Sequence, residues 1–305
     1  MIHSINVSIV IPCYNVEKYI RNCVISCRNQ THGNLEIICV DNNSSDNTAK
    51  QLEFLTEEFG IIHLTEQTPG ACAARNKGLK NVTNKYVQFL DADDLLLPTK
   101  IQTQLHLLEK ENADLIVSNY LYQTINKENK KHEVNKDFLK GLFTTTLGIT
   151  SANLFKTENV KRIAGWDENL TSSQEYDLMF RLIKNNCTPI ICSEYETIVR
   201  EREEGAISQS DPIKKWKNYI KLRVEILLWM KEHQSAYLKT EFDFYSNKMF
   251  EYILILYTYN KNESIKTWLH YKPKFAIRPK SQVKKALLSL LGFDKYCAIT
   301  NILKK

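Results

Sequence analysis

No cysteine pair in this sequence has Cys-x-x-Cys spacing, no apolar run reaches eighteen residues, and neither sign of charge dominates. The first absence matters because the chain holds eight cysteines, at 13, 23, 27, 39, 72, 187, 192 and 297. Lacking metal-ligand or redox spacing, and set in apolar patterns such as Ile37-Ile38-Cys39-Val40, they read as buried free thiols of a reducing compartment. The second absence excludes a membrane-spanning helix. Met1-Ile2-His3-Ser4-Ile5-Asn6 runs straight into a strand pattern with no charged-then-apolar leader, so a cytoplasmic location is expected. Third, a net charge of +6 and a pI near 8.7 suit a nucleotide or an acidic membrane surface but are too mild to argue for nucleic acid. A fourth absence is local. The stretch Ile11-Pro12-Cys13-Tyr14-Asn15 has no glycine, whereas a nucleotidyltransferase places a glycine-rich phosphate loop near its first strand.

What is present is a chain of 305 residues, 43% of them hydrophobic, long enough for one sizeable core plus an appendage. Residues 7–11 form a β-branched run closed by Pro12, and residues 16–29 carry helical spacing through Val16, Tyr19, Ile20, Cys23, Val24 and Cys27. Residues 35–40 are a continuous apolar strand ending at Asp41. Asn42-Asn43-Ser44-Ser45-Asp46 then supplies capping side chains for a helix reaching about residue 59. A third strand is expected at 61–64, a short helix at 71–79 and a fourth strand at 85–90. Strands this apolar, separated by helices, indicate an α/β fold with a mostly parallel sheet covered on both faces. Such sheets bind ligands beyond the carboxyl ends of their strands, near a topological switch point.

The fourth strand stops abruptly at Asp91-Ala92-Asp93-Asp94. Read as an extended segment, it puts Asp91 and Asp93 on one face, converging on one ligand, while Ala92 lets that ligand come close. Neighbouring carboxylates repel unless a cation compensates, and hard oxygens suit Mg²⁺ or Mn²⁺ held jointly with substrate phosphates. The plain alternative is a polar loop capping the next helix. Polar clusters also follow strand one, at Tyr14, Asn15 and Glu17, and strand two, from Asp41 to Asp46. Three strand ends thereby bring acids and amides to one place.

Four segments carry a resemblance: Ile11-Pro12-Cys13-Tyr14-Asn15, Val40-Asp41-Asn42-Asn43-Ser44-Ser45-Asp46-Asn47-Thr48, Ala74-Arg75-Asn76-Lys77-Gly78 and Phe89-Leu90-Asp91-Ala92-Asp93-Asp94. In order and spacing they resemble the signature series of family 2 glycosyltransferases of the GT-A fold, of the bacterial surface-polysaccharide type, over roughly residues 5–210. The resemblance implies an inverting transfer from a nucleotide-diphospho-sugar to a hydroxyl of a saccharide or lipid-linked saccharide. It also implies that Asp41 contacts the base, Arg75 helps hold the nucleotide, Asp91 faces the ribose and Asp93 of the DxD motif binds Mn²⁺ or Mg²⁺. Pro12, Tyr14, Asn15, Glu17, Asn43 and Ala92 complete the expected nucleotide-sugar pocket. The family's second motif more often reads Asp-Asp-Gly-Ser; Asn42 and Asn43 stand in its middle here, which leaves the base preference open. Read from the residues alone, Arg75 follows the turn at Pro69-Gly70, where a guanidinium and helix N–H groups meet phosphate or base, or it is a surface helix arginine paired with Glu66.

Further on, a helix is expected at 99–111, strands at 115–118, 151–155 and 189–192, and a solvated, highly charged insertion at 126–136. Gly165-Trp166-Asp167-Glu168 and Ser173-Gln174-Glu175-Tyr176-Asp177 resemble the segment where these transferases keep the acceptor-side acid. Glu175 is the candidate base and Asp177 its rival; at i and i+2 on a helix only one reaches the sugar. The family more often has a Glu-Asp pair where Gln174 and Glu175 stand. Asp177 has a plainer use as an acid at a helix N-terminus. Arg200 and Arg202, alternating on one strand before Gly205, resemble the family's closing segment, in which a basic residue approaches the diphosphate; equally, they fit an edge strand paired with Glu201, Glu203 and Glu204.

The expected division is a GT-A domain at 1–210 and a helical C-terminal region at 211–305 with a basic tail. One amphipathic stripe runs through Trp216, Tyr219, Leu222, Ile226 and Leu227, another through Phe250, Ile253, Leu254 and Tyr257. Lys272, Lys274, Arg278, Lys280, Lys284 and Lys285 precede Ala286-Leu287-Leu288-Ser289-Leu290-Leu291, which suits either a solvated tail or peripheral contact with an anionic membrane beside a lipid-linked acceptor. The expected function is that of a cytoplasmic, metal-dependent hexosyl- or other glycosyltransferase of surface polysaccharide assembly, without a nucleic-acid partner. A nucleotidyltransferase and a non-catalytic nucleotide-sugar-binding protein stand as the alternatives.

Overall fold

The apolar segments at residues 7–13 and 35–41 lie side by side as parallel strands β1 (Val7–Cys13) and β2 (Leu35–Asp41), in register from Val7 opposite Leu35 to Cys13 opposite Asp41. The structure, a computed structural model, describes residues 6–202 and 211–302, the last two by backbone alone. Around β1 and β2 the chain forms α1 (Ile20–Arg28), α2 (Thr48–Phe59), β3 (Ile62–Thr65), α3 (Ala71–Asn81), β4 (Tyr86–Phe89), β5 (Leu95–Leu96), α4 (Lys100–Glu111), β6 (Leu115–Ser118), β7 (Tyr120–Gln123) and β8 (Asn129–His132). It continues with α5 (Phe138–Thr144), β9 (Leu154–Lys156), α6 (Thr157–Arg162), α7 (Gln174–Lys184), β10 (Pro189–Cys192) and β11 (Thr197–Arg200).

Seven strands make the main sheet in the order β10-β6-β9-β4-β1-β2-β3, parallel except for β9, which runs antiparallel to β4 and β6. This is the mostly parallel sheet expected from the sequence. Since β1 has β2 on one side and β4 on the other, the strand order reverses between β1 and β4, and the loops leaving their carboxyl ends open a crevice. Alternation along β1 covers both faces. Ile9, Ile11 and Cys13 join Cys23, Cys27, Leu52, Leu55 and Leu105 in one core. Val10 faces the other way, against α3, where a β-carbon on Gly78 would come within 2.3 Å of Val10 Cγ1. Only glycine lets the helix lie this close. A fully buried Ile or Leu such as Ile9 or Leu52 contributes on the order of 2 kcal/mol.

A second sheet, β5-β11-β7-β8, is mixed: β11 is antiparallel to β5 and parallel to β7, and β7 is antiparallel to β8. The charged run at 126–136, expected as a solvated insertion, is solvated and also supplies this outer strand. Its lysines stay in water, as an edge strand permits, while the His132 ring stacks on Tyr120 with centroids 4.8 Å apart. Three other expectations shift. The first helix begins at Ile20 and not at Val16: residues 17–19 form a turn in which Val16 O accepts from Tyr19 N (2.9 Å) and Ile20 N (3.0 Å), while the N–H groups of Val16 and Glu17 are met by Thr48 Oγ1 (2.8 Å) and Asp46 Oδ2 (3.1 Å). The strand expected at 151–155 is a 3₁₀ turn, Thr150–Ala152, followed by β9. The fourth strand ends at Phe89, before the acids.

The chain separates into two compact units, Met1–Leu170 with Gln174–Ala206, and Thr171–Ser173 with Ile207–Lys305. The second holds α8 (Pro212–His233), α9 (Ser235–Thr240), α10 (Phe242–Tyr259), α11 (Lys261–Phe275) and α12 (Gln282–Ile302). Leu222, Ile226 and Leu227 of α8 are buried as their stripe implies; on α10 Phe250 and Ile253 are joined by Leu256, while Leu254 is half-buried. Trp268 stacks on Phe293 at 4.6 Å and meets Phe250 edge-on at 5.5 Å, an arrangement aromatic pairs favour. Gly292, at φ 70° and ψ 167°, breaks α12 in two, a conformation open to glycine alone. Among the described residues no helix is long and apolar enough to cross a membrane.

Candidate active site

The loops after β1 and β2 bind each other. Asn15, in the left-handed region at φ 49°, accepts from the Ser45 N–H (2.8 Å) and donates its own N–H to Ser44 Oγ (3.1 Å). Glu17 Oε2 accepts from Asn47 N (2.8 Å) and Nδ2 (2.9 Å). Asp46 Oδ1 caps α2 by accepting from Thr48 N at 2.9 Å. Beside them Asn42 donates to Glu66 O (2.8 Å) and Thr68 O (2.7 Å) and accepts from Gly70 N (2.7 Å), fixing the loop that leads into α3. Asn43 reaches Gln67 O at 2.9 Å. Asp41 closes β2, is 8% exposed, and its Oδ1 is buried with no hydrogen-bond partner. Pro12 is half-buried at the end of β1, and Tyr14 stands in solvent.

After β4 the backbone turns, with Asp94 N donating to Asp91 O at 2.9 Å. This corrects the extended reading. Asp91 and Asp93 do not share a strand face; each carboxylate leaves the turn toward its own cation, while Ala92 is buried at the bend. Asp91 Oδ1 takes Arg75 Nη2 at 2.6 Å, and Asp93 Oδ2 takes Arg202 Nε. Arg200 Nε donates to the Asp93 carbonyl. Burial, and then the Asp91 charge, push the Asp93 carboxyl above the usual carboxylate range, against the pull of Arg202.

Arg75 is 6% exposed. Burial works against its charge, but the Asp91 carboxylate outweighs that and raises its pKa. The guanidinium lies 4.6 Å over the Trp166 ring and donates to Gln174 Oε1 at 3.3 Å, so it joins the acid turn to the start of α7. Asn76 holds Trp166 in place, accepting from its N–H and donating to its carbonyl, both at 2.8 Å, and to Glu168 Oε1 at 2.8 Å. Glu175 follows Gln174 in the first turn of α7 and acts electrostatically on Arg75. Asp177 is engaged otherwise. It pairs with Arg181 at 2.7 Å, and Arg181 in turn donates to the Ile163 and Gly165 carbonyls.

Behind the acid turn runs a buried polar chain that sequence reasoning did not single out. Ser151 Oγ donates to Asp94 Oδ2 at 2.5 Å and accepts from Asp91 N at 3.1 Å; Asp94 Oδ1 accepts from Arg200 N at 3.1 Å. Gln88 Nε2 donates to Ser151 O at 3.0 Å, and Lys100 Nζ donates to Gln88 Oε1. Asp94 is 2% exposed, and burial followed by its two acid neighbours raises its pKa well above normal. A satisfied network of this kind makes a turn rigid. Tyr19 was likewise read only as a helix residue; its ring lies 5.4 Å from both the Arg200 and Arg202 guanidiniums. Nothing in the local pattern marks Ser151 or Tyr19, since both act across long sequence distances. The other expected partners of the arginine strand, Glu203 and Glu204, and its turn at Gly205 lie outside the described residues.

Arg75 Nε, Arg200 Nη2 and Asp41 Oδ1 are buried without hydrogen bonds at this end of the sheet. Such atoms cost about 1–3 kcal/mol each unless a ligand meets them. The donor set suits a hard divalent cation in part: Asp91 and Asp93 supply carboxylate oxygens, and a cation would offset the repulsion felt by Asp93. Among the described residues no group of three or more His, Cys, Asp or Glu side chains is arranged to hold a metal, so remaining ligands would come from phosphate and water.

Comparison with known proteins bears on this geometry. A sequence model of the family described as Glycosyl transferase family 2 matches residues 8–164. Over 204 residues the chain is 32% identical to the UDP-Glc:alpha-D-GlcNAc-diphosphoundecaprenol beta-1,3-glucosyltransferase WfgD of Escherichia coli, covering 62% of this chain and 76% of that one. Three other curated relatives, 35–36% identical over 115–142 residues, are much longer, and the chain spans only 16–23% of their length. In fold it is similar to S. aureus TarS 1-349 in complex with UDP-GlcNAc, with a TM-score of 0.62 at 20% identity over 73% of this chain and 67% of that one. It is also similar to the mannosyltransferase PcManGT from Pyrobaculum calidifontis in complex with GDP-Man and Mn²⁺, with a TM-score of 0.57 at 15% identity over 99% and 89%.

Proposed function

The chain belongs to glycosyl transferase family 2, and we propose that it is an inverting, metal-dependent transferase. It would move a sugar from a nucleotide-diphospho-sugar to a hydroxyl of a saccharide or lipid-linked saccharide in surface polysaccharide assembly. The observation that carries this reading is the meeting of Asp91 and Asp93 with Arg75, Arg200 and Arg202 beside three buried, unmatched polar atoms at a topological switch point. The naming of WfgD as a glucosyltransferase acting on a diphosphoundecaprenol-linked sugar supports the acceptor class, and the Mn²⁺ in the PcManGT complex supports the cofactor.

In this reading Asp41, with its unmatched Oδ1, receives the base and Asp91 the ribose. Arg75, Arg200 and Arg202 offer guanidinium N–H groups to the diphosphate, where bidentate charge-assisted bonds are strongest. Pro12, Tyr14, Asn15, Glu17, Asn43 and Ala92 shape the walls. Mn²⁺ or Mg²⁺ held by Asp93 supplies charge stabilisation for the leaving diphosphate. Glu175 takes the proton of the attacking hydroxyl. Its rival Asp177 is favoured less, because its charge is occupied in holding Arg181 and the 163–165 loop. Contact with an anionic membrane surface on the cytoplasmic side belongs to the same proposal.

The test is calorimetric titration with UDP, GDP and TDP, each with Mn²⁺ and with a chelator, on the wild type and Asp93→Ala. Metal-dependent binding of one nucleotide, abolished in Asp93→Ala, is the expected result. Binding that ignores both metal and Asp93 would overturn the assignment. Glu175→Gln should then abolish turnover while nucleotide binding persists.

A further inference from the structure

Residues 282–291, the part of α12 before its break at Gly292, turn their apolar side chains outward. Val283 is 70% exposed, Leu287 43% and Leu290 81%. Spacings of four and three put them on one face of the helix, with exposed Ala286 beside them. Lys285, Leu288 and Leu291, further round, are half-buried. Isolated exposed hydrophobes are ordinary on protein surfaces; a continuous apolar face is a docking surface.

The charge around it names the partner. Between Glu263 and Asp294 there is no acidic residue, while Lys266, Lys272, Lys274, Arg278, Lys280, Lys284 and Lys285 all fall there. Asp243 pairs with Arg278 at 3.0 Å, and among the described residues Lys280, Lys284 and Lys285 are outside every ion pair. A second copy docking through the same face would bring two sets of these lysines together, and like charges facing each other oppose such an interface. An anionic lipid surface complements both features.

We propose that this half-helix lies flat on an anionic phospholipid surface, with Val283, Leu287 and Leu290 entering the acyl boundary and the exposed Lys280 and Lys284 meeting lipid phosphates. Ten residues of helix span about 15 Å, enough to lie in the interface and too little to cross it. The apolar face by itself is a weak anchor, so binding requires both signals. The inference deepens the function proposed above, on which its purpose rests: it puts the transferase where a lipid-linked acceptor is presented.

The test is co-sedimentation of the full chain with unilamellar vesicles of phosphatidylcholine alone or with roughly 30% phosphatidylglycerol, at low and high salt. Binding is expected on the anionic vesicles, at least about tenfold weaker on phosphatidylcholine and weaker again as salt screens the lysines. Leu290→Glu should lower it about tenfold or more, and replacing Lys280 and Lys284 with serine about twenty-five-fold, at roughly fivefold per lysine. Both variants change exposed residues, and unchanged far-ultraviolet circular dichroism and urea midpoint check that they fold. Equal binding to both vesicle types, no binding, or a Leu290→Glu variant that binds like wild type would overturn the proposal. So would a wild-type dimer that Leu290→Glu dissolves, since the face would then be an interface between copies. Vesicle binding can fail while metal-dependent nucleotide binding holds, which sinks this inference and leaves the transferase reading standing; the reverse result does the opposite.

Discussion

The loops after β1 and β2 and the turn after β4 are both polar, both sit at carboxyl ends of neighbouring strands, and differ in how their polar groups are matched. Asn15, Glu17, Ser44 and Asp46 spend their side chains on backbone N–H groups of these two loops and the start of α2, through neutral or singly charged hydrogen bonds. Asp91 and Asp93 instead face arginines, two of which keep buried N–H groups unmatched. Neutral backbone partners have nowhere else to go, whereas an ion pair can trade its partner for a ligand of the same charge. The first cluster is a scaffold by this criterion, and the second is a receptor.

The sharpest way to break the comparison is Asp91→Asn. It keeps the side chain's size but leaves the Arg75 cation, 6% exposed, without its carboxylate. Turnover, measured as nucleotide release, should fall by roughly 10²–10³. Stability to urea should fall by about 2 kcal/mol, less than for a fully buried pair because the Asp91 side chain is 32% exposed. A loss below tenfold in turnover would mean that the turn is as structural as the loops. Next in size is Ser151→Ala, which strips a partner from both Asp94 Oδ2 and Asp91 N. A cost of about 2 kcal/mol is expected from the buried groups left unmet, with a roughly tenfold weaker Mn²⁺-dependent nucleotide affinity. Asp94→Asn, which preserves the acceptor for Arg200 N, should be milder in affinity. If Ser151→Ala lowered stability and left affinity alone, Ser151 would have no part in aiming the acids.

Much of the receptor could be read from the sequence because its parts are local. The apolar runs at 7–13 and 35–41 can only be buried strands, and acids directly after Phe89-Leu90 must fall at a strand end. What could not be read was partnership. Arg202 meets Asp93 across 109 positions and Gln174 meets Arg75 across 99; no periodicity encodes such pairs, which depend on β11 joining β5 and on α7 starting beside α3. The extended reading of Asp91 and Asp93 failed for a different reason. Strand alternation was carried to Asp93, three residues past Leu90, whose N–H makes the last ladder bond, and Ala92 and Asp93 turn. The edge strand at 129–132 was hidden because its lysines imitate a disordered charge run.

Lys100 yields a smaller, pH-dependent effect. It is fully buried at the start of α4, and burial pulls its ammonium down to about 7. At this side chain the unfolded chain, with a lysine near its ordinary 10.5, binds more protons than the folded chain between pH 7 and about 10, so the lysine's contribution to stability rises with pH across that window, while thiols such as Cys23 and Cys72, pushed up by burial, pull the other way. The slope should be near 1 kcal/mol per pH unit at most. Urea midpoints at pH 7, 8 and 9 are compared between the wild type and Lys100→Met, which share the buried thiols, and their difference should shift in the wild type's favour as pH rises; a difference that stays level would mean that Lys100 is charged in the fold.

The smallest expected effect is Glu17→Gln, and it decides whether the scaffold is only a scaffold. A glutamine carbonyl can still accept from Asn47 N and Nδ2, so only the charge on exposed hydrogen bonds is lost, about 0.5 kcal/mol. Nucleotide affinity should stay within twofold of wild type, since the carboxylate is already turned to the start of α2 and not to the crevice. A tenfold drop would show that Glu17 leaves Asn47 when ligand arrives. The two loops would then share the receptor's property of exchangeable partners, and the difference between the clusters would be one of degree, set by how many unmatched groups each keeps buried.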